Sequence, residues 1–395
     1  MSIETMIAQQ IQIPAPHERT PGRPSRILVS GTVLGLGGIR THLILLCQLL
    51  RRQGTDVTVF ASDSHWDSNS LNELSSLGVR FILPPALLRP ARKLAAAYCG
   101  LCWPLRMPRR ADSLYCIGTG RSHFFLNRRR PRGTVSINHE IVYPPEGASL
   151  SGESARQLDT SVANSHKVAE VMKNRWPQKP VRVIPFLTSD RAMPAPVRTP
   201  RAMTQPLRVV YLGRLVEQKR PDQLVRRWAE ITRHPALAGA RLDVFGYDPD
   251  GKMMGGLRKF VSESGLSGRV MLRGEYALAE LPRILAESDL VVLPSLWEGL
   301  PLVLVEAMSH GVPFVATAAG GTEELGRENP DVCITGTAWA EFETGLVRMA
   351  GRLRSDEINP LRLHAWAEAR YGCAVVSAQW LQCLENPRQF FALDD

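Results

Sequence analysis

Short apolar runs recur between helical patterns in two separate series, and this leaves the chain few folds to choose from. The first series is RILVSGT (26–32), DVTVFA (56–61), SLYCIGT (113–119), TVSINHE (134–140) and VRVIPF (181–186). The second is LRVVYLG (207–213), RLDVFG (241–246), RVMLRG (269–274), DLVVLP (289–294) and VPFVAT (312–317). In runs such as LVVL successive residues are apolar, so both faces of the strand need cover, as in a parallel sheet clothed by helices. A strand followed by a helix, repeated, is the pattern of a doubly wound α/β domain. Between the two series lies LTSDRAMPAPVRTPRAMTQP (187–206), Pro-rich and aperiodic, which reads as an interdomain linker. The expectation is two Rossmann-like domains, 25–186 and 207–360. The first carries a helix with Ile39, Leu43, Leu46 and Leu50 at helical spacing and Gly54 as its C-terminal cap. A last helix of about 361–384 follows Pro360 and stops before Pro387.

A chain of 395 residues suits two domains of ordinary size. No stretch approaches the ~18 consecutive apolar residues of a membrane span. The opening 24 residues are polar and carry no basic segment followed by an apolar core. They read as a disordered tail rather than a secretory leader, which places the chain in the cytoplasm. The seven cysteines are scattered. Cys99 and Cys102 form a lone C-x-x-C, and with no second pair at zinc spacing they read as small apolar residues rather than a redox or metal site.

The net charge of +10 is unevenly spread. Residues 1–195 carry 25 Lys+Arg against 13 Asp+Glu; the remainder carries 23 against 25. Between Leu74 and His139 there are twelve basic residues and one acid, Asp112. Such an excess points to a polyanionic partner, with a merely solvated basic face as the alternative. Anionic lipid headgroups, a phosphorylated acceptor and nucleic acid would each fit the charge, but no recognised nucleic-acid motif is present and no nucleic-acid partner is expected. The segment 86–110 combines leucines, Tyr98 and Trp103 with six basic residues and no acid. It is too short to span a bilayer and suits lying on an anionic one; a core helix followed by a basic loop is the rival reading.

Chemistry concentrates in two places in the second series. In the run 289–325 a buried strand ends at Pro294, a loop carries Glu298 and Gly299, and a helix starts near Pro301 and stops at Gly311. Pro suits a first helical position because its missing N–H would be unpaired there anyway. The open N–H groups and positive end of such a helix favour an anion, and the loop lies where α/β sheets bind ligands. Glu306, inside the helix, can accept from a ribose diol through its two oxygens, while Glu298 sits nearer a transferred group. The plainer alternative is two surface glutamates flanking a core helix. In VVYLGRLVEQKRPDQL (209–224), Gly213 allows a tight turn after a strand, and Arg214 and Lys219 flank the start of the next helix. Two cations at a sheet mouth can clamp a diphosphate, although alone they would read as a solvated basic turn.

Together these segments resemble the retaining glycosyltransferases of family four, which have the GT-B fold. The E-x7-E of that family is matched by Glu298 and Glu306, and its G-R-x4-K by Gly213, Arg214 and Lys219. The resemblance spans residues 25–385 and is most specific over 205–325. It implies an α/β GT-B architecture, two Rossmann-like domains facing a central cleft, with the segment 361–395 crossing back onto the first domain. It implies that Glu306 binds the ribose and Glu298 the donor sugar, that Arg214 and Lys219 hold the diphosphate, and that the backbone of Gly299, Leu300, Pro301 and Leu302 contacts sugar and phosphate. The nucleotide base would meet the loop near Arg273 to Tyr276. No metal and no cofactor are expected beyond the nucleotide-sugar donor; the acceptor would be a glycan or lipid-linked molecule. Stabilising charge on the departing diphosphate is the main task of such chemistry.

In the first series, GTVLGLGGIRTHL (31–43) resembles the family's G-G-x3-H segment through Gly37, Gly38 and His42. Its glycines let a backbone approach a phosphate. Arg40 stands where many relatives have an acid, and where a dinucleotide fingerprint would need its third glycine. His139, at the end of TVSINHE, suits a contact to a sugar hydroxyl; the alternative is a histidine satisfied in the core. Ser165 of ANSH reads as a helix cap, and Asp248-Pro249-Asp250 as a turn rather than a metal-binding D-x-D. Two other function classes stay open: a sugar-nucleotide epimerase of related fold, and a catalytically silent carbohydrate-binding subunit.

Overall fold

The computed structural model describes residues 25–31, 38–61, 68–88, 92–117, 121–141, 157–188 and 205–392. The expected tail 1–24, Gly37 and nearly all of the linker lie outside these residues. The described residues divide into two compact units. One takes in the chain up to Ile141, then 157–188, then the chain from Ala369; the other takes in 205–368.

The first unit is built on a seven-stranded parallel sheet in the order β3-β2-β1-β4-β5-β6-β7. Its strands are β1 (Arg26–Gly31), β2 (Asp56–Ala61), β3 (Arg80–Ile82), β4 (Ser113–Ile117), β5 (Val135–Glu140), β6 (Thr160–Ala163) and β7 (Val181–Val183). The second unit has six parallel strands in the order β10-β9-β8-β11-β12-β13. These are β8 (Arg208–Leu212), β9 (Arg241–Phe245), β10 (Val270–Gly274), β11 (Leu290–Leu293), β12 (Phe314–Thr317) and β13 (Cys333–Thr335). Both orders reverse once, between β1 and β4 and between β8 and β11, as in a dinucleotide-type fold. β11 is buried along its whole length, and all of β8 beyond Arg208 likewise, as the uninterrupted apolar runs require.

All ten expected strands are present, β2 over its full expected length; the ends expected at Thr32 and at Gly118 and Thr119 lie outside the described residues, and the other strands are shorter by a residue or more. β3 and β13, three residues each, carry no apolar run long enough to stand out, whereas β7, equally short, runs on into the apolar Ile184 to Phe186. The first helix, Gly38–Arg52, buries His42, Leu43, Leu46, Cys47 and Leu50, and it ends where Gly54 takes a left-handed φ of 74°. Ser165 caps the helix His166–Arg175, its hydroxyl accepting from the Val168 N–H at 3.2 Å. The leucine- and basic-rich segment 86–110 divides by burial. Trp103 is fully buried against Phe60, their ring centroids 5.5 Å apart, and Cys99 lies in the same cluster. Trp103 is therefore a core residue and not a surface anchor. No described helix is long and apolar enough to cross a membrane.

The single last helix expected over 361–384 is two helices, Pro360–Tyr371 and Cys373–Glu385, separated by Gly372. The run stops before Pro387 as expected, and Pro387 opens a further helix, Pro387–Ala392, since a proline is tolerated in a helix's first turn. The boundary between units falls within Pro360–Tyr371, whose start belongs to the second unit. There Arg362 grips the fully buried Asp331 with Nε at 2.6 Å and Nη2 at 2.5 Å. The helix Cys373–Glu385 packs on β1, β4 and Gly38–Arg52 in the first unit. Its Trp380 is fully buried, donates from Nε1 to the Pro185 carbonyl at 2.9 Å, and lies against Tyr115, His42 and His139. Removing a buried tryptophan costs about 3 to 5 kcal/mol in general, and here the Pro185 carbonyl would lose its donor as well. Trp380→Ala is expected to lower stability by about that amount, read as a lower denaturant midpoint; a midpoint within error of the parent would contradict this packing.

Candidate functional site

In the second unit the strand order reverses between β8 and β11, so the loops leaving these two neighbours open side by side at the carboxyl edge of the sheet. Gly213 follows β8, and its N–H donates to the Phe245 carbonyl at 3.1 Å. The approach is close: a Cβ on Gly246 would stand 1.9 Å from the Gly213 carbonyl oxygen, so Gly246 must be glycine for this turn to form. The fully buried Tyr211 donates its hydroxyl to the Arg214 carbonyl at 2.9 Å, which fixes the backbone and leaves the Arg214 side chain exposed. Lys219 ends a short turn, Glu217–Lys219, and Arg220 follows with φ of 55°. That left-handed residue is held by its guanidinium, which donates to the Thr337 carbonyl at 2.8 Å and lies over the Trp339 ring.

The loop after β11 meets this turn directly. Glu298 pairs with Lys219, and both side chains are close to fully buried. The Ser295 hydroxyl donates to the same Glu298 oxygen at 2.7 Å. Gln218 locks the loop from the other side, accepting from the Leu296 N–H at 2.8 Å and donating from Nε2 to the Trp297 carbonyl at 2.5 Å. Gly299 follows, buried, its carbonyl accepting from the Gly321 N–H at 2.7 Å. Leu300 is also buried. The helix expected from Pro301 begins one residue later, at Leu302–Ser309, with Pro301 as its cap residue in extended conformation. No side chain caps this end, so its first N–H groups remain open to an anion. Gly311, with φ of 67°, closes the helix as expected.

Glu306 lies in that helix and is buried, but no hydrogen-bond donor among the described residues meets its carboxylate. Burial without a partner pushes its pKa from 4.5 up to about 7. The charge of Glu306 also helps burial raise the Tyr276 hydroxyl, so these two groups face each other electrostatically. Tyr276 stands edge-on to Phe245, with centroids 5.9 Å apart. Arg273 falls inside the strand expected over 269–274 rather than in the loop that follows it, where the base contact is expected. It lies in β10, an edge strand, and its Nε is 2.5 Å from Asp243 on the exposed surface. Asp248 and Asp250 accept from the backbone N–H groups of Met254 and Lys252 at 2.7 and 3.2 Å, as a helix-initiating turn does.

In the first unit Gly38 opens the helix Gly38–Arg52, while the preceding Gly37 lies outside the described residues. His42, Tyr115 and His139 form a fully buried chain. The Leu187 N–H donates to His42 Nδ1 at 3.1 Å, so a neutral His42 carries its proton on Nε2, 3.1 Å from the Tyr115 oxygen. Tyr115 then donates to His139 Nδ1 at 2.5 Å, which leaves the His139 proton on Nε2, where it meets no partner among the described residues. Burial lowers His42 to about 3, and burial together with His42 holds His139 well below its usual value. His139 is thus a neutral residue caged by Phe186, Trp380 and Tyr115, not the solvent-facing strand end expected for a sugar contact.

The structure therefore brings Gly213, Lys219, Glu298 and Gly299 together, with Glu306 and Tyr276 as a second group. Ser295, Gln218, Gly246 and Gly321 position them and were not singled out from sequence. A glycine directly after a strand was the one available signal, at Gly246.

Two family models match the chain: "Glycosyltransferase Family 4" over residues 36–186 and "Glycosyl transferases group 1" over residues 206–351. Among curated relatives, the D-inositol 3-phosphate glycosyltransferase of Salinispora tropica is 30% identical over 233 residues, which is 53% of this chain and 48% of the relative. The enzyme of the same name from Mycobacterium tuberculosis is 34% identical over 140 residues, 35% of this chain and 27% of the relative. The chain thus matches about half of the first relative's length and about a quarter of the second's. Among solved structures, Anabaena HepE in complex with UDP covers 91% of this chain and 99% of its own at a TM-score of 0.68 and 18% identity. TarM covers 93% and 100% at a TM-score of 0.70 and 12% identity.

The state of Glu306 yields a stability test. Folded Glu306 keeps its proton up to about pH 7, whereas the unfolded chain releases it near 4.5. The stabilisation is full below the unfolded value and is lost as pH rises through the folded one, a difference worth about 3 kcal/mol. Glu306→Gln, which cannot ionise, is expected to match the parent at pH 5 and to be more stable than it at pH 8. Denaturant curves at both pH values check this; parallel pH dependences in parent and variant would contradict the assignment.

Proposed function

The chain belongs to the family 4 glycosyltransferases with the GT-B fold, and from that membership we propose that it transfers a sugar from a nucleotide-diphosphate sugar to an acceptor hydroxyl, with retention and without a metal or cofactor. The observation that carries the proposal is the meeting of Lys219 and Glu298 beside an uncapped helix start, with the unpartnered carboxylate of Glu306 inside the same helix. In this reading the anomeric carbon–oxygen bond to the diphosphate breaks and a bond to the acceptor oxygen forms, while the acceptor's proton passes to the leaving phosphate. Arg214, Lys219 and the open N–H groups at Leu302 take up the charge that develops there. Lys219 has three N–H donors, so it can keep Glu298 and still meet a phosphate. Glu298 then holds a sugar hydroxyl, Glu306 accepts from the ribose, and Tyr276 flanks the base. Arg273 serves the edge of the sheet through its pair with Asp243, and His139 stays outside the reacting centre because no atom of its ring reaches solvent. Gly37 and Gly38 keep the role of letting a phosphate approach the backbone.

The acceptor in this reading is a glycan or lipid-linked molecule of polysaccharide or cell-envelope synthesis. The name shared by the curated relatives favours a second acceptor class, a phosphorylated cyclic polyol, which the basic first unit would also attract. HepE, solved with UDP and with UDP-glucose, makes UDP-sugars the first donors to test.

Thermal-shift measurements against UDP-, GDP-, ADP- and dTDP-sugars are expected to raise Tm by roughly 5 °C for one class at saturating donor. Glu306→Ala is expected to abolish that rise, and Lys219→Ala to lower kcat/KM by about 10²-fold or more. Wild-type donor binding in Glu306→Ala would count against the site. An epimerase would instead alter the donor with no acceptor present, and a silent subunit would bind donor and transfer nothing.

We further propose that the first unit docks on an anionic membrane surface. Leu87 and Leu105 are 93% and 84% exposed, and Leu94 and Leu101, seven residues apart on the helix Arg92–Cys102, are exposed with them. Arg106, Arg109 and Arg110 follow, also exposed. Leucines of this exposure beside cations suit the boundary between headgroups and acyl chains. Flotation with phosphatidylglycerol vesicles at low salt is expected to carry the parent, with at least a tenfold weaker association for Leu101→Asp/Leu105→Asp. Parent protein left at the bottom of the gradient would refute the docking.

A further inference from the structure

The first unit carries a cavity that the glycosyl-transfer reading does not use. It holds about 780 Å³ and is lined by the turn Arg128–Val135, by Asp159 and Thr160, and by the last helix, Pro387–Ala392. Val135 and Thr160 are the first residues of β5 and β6. The cavity therefore opens at the amino edge of the sheet, opposite the carboxyl edge where α/β sheets place their reacting ligands.

Its charge is one-sided. Arg128, Arg130, Arg132 and Arg388 line it against a single acid, Asp159. That acid is already engaged: it accepts from Arg130 Nη2 at 2.8 and 2.9 Å, and from the Ser136 N–H and hydroxyl at 2.8 and 3.0 Å. Asp159 thus answers Arg130 alone. Arg132 and Arg388 are both exposed, and they come from segments 256 residues apart in sequence. Arg388 is aimed by one hydrogen bond, from Nη2 to the Gly133 carbonyl at 3.1 Å. Gly133 holds φ of 86°, and the nearest atom to a Cβ built there is that same Arg388 nitrogen, at 3.7 Å. The glycine thus turns the chain while keeping the space beside the guanidinium open. Pro131 and the half-buried Phe391 supply an apolar wall.

We propose that this cavity is a binding site for a phosphate-bearing ligand with an organic portion. Guanidinium groups meet phosphate oxygens in pairs and outbid water for them better than ammonium groups do. The volume falls within the roughly 300–1,000 Å³ of small-molecule sites, far above the needs of a lone phosphate, and the Phe391 side accommodates the remainder of the ligand. A lipid headgroup and a soluble phosphate ester share this chemistry.

Inorganic pyrophosphate is the probe, titrated calorimetrically into the full chain. The proposed donor site also binds pyrophosphate, so two sites are expected in the parent. Arg132→Gln/Arg388→Gln is expected to weaken one of them by at least about tenfold and leave the other, whereas Lys219→Ala spares the first and weakens the second. A single parental site that disappears in Arg132→Gln/Arg388→Gln and survives in Lys219→Ala would uphold the cavity site and remove the donor reading. Titrations of Arg132→Gln/Arg388→Gln that match the parent in stoichiometry and affinity would overturn the inference. Flotation with phosphatidylglycerol vesicles then separates the two sources: the double variant floats several-fold less than the parent if the ligand is a headgroup, and equally well if it is a soluble ester.

Discussion

The ion pair between Lys219 and Glu298 ties together two loops whose residues are 79 positions apart, and the geometry of the second unit's carboxyl edge follows from it. Two charges this little exposed lose most of their hydration, and only a close partner with further hydrogen bonds restores it. Ser295 supplies one such bond to Glu298, and Gln218 braces the loop on both sides of Trp297. The pair can form only because β8 and β11 are neighbours at the reversal of strand order, and because Gly246 lets the turn at Gly213 come within contact of β9. Each requirement is local, and each would fail singly: a side chain at Gly246 displaces the turn, and loss of either charge strands the other.

Glu298 and Glu306 show how environment assigns different states to one residue type. Glu298 has a cation and a hydroxyl within reach; Glu306 has neither and is pushed towards neutrality by burial alone. In the proposed donor site the hydroxyl groups of a ribose would donate to this carboxylate and favour its ionised form. Donor binding in that reading is linked to proton release from Glu306, in the direction opposite to the stabilisation its proton gives the free protein.

The fold was readable because strands buried on both faces write their position as continuous apolar runs, as at β8 and β11. Strands β3 and β13 write nothing so distinct. The spacing of Glu298 and Glu306 and of Gly213, Arg214 and Lys219 marked the loops, but spacing carries no tertiary information. It could not tell that Lys219 reaches Glu298, or that Arg273, inside the expected strand 269–274, pairs with Asp243. For His139 and Trp103 the core alternative holds, and sequence does not decide it because the neighbours that enclose them, Trp380 and Phe60, lie far off in the chain. The helix Cys373–Glu385 was read as continuous with its predecessor because Gly372 interrupts the periodicity by a single residue.

The positive charge of the first unit has its own logic once its pairs are counted. Arg26 and Arg51 share Asp56, and Arg130 takes Asp159, so these two acids are held by arginines that brace strand ends. Arg132 and Arg388 lie exposed beyond these pairs, and like charges on one face raise the energy of the folded state unless an anion lies against them. Screening by salt lowers that cost for exposed side chains but less so inside a concave wall, where field lines are confined. The proposed anion site between Gly133 and Phe391 is such a concave wall. The exposed leucines near Arg106 act by a different force, the removal of apolar surface from water, which salt does not screen. Added salt therefore weakens the cavity's hold on an anion, and of the docking surface only the part that Arg106, Arg109 and Arg110 contribute.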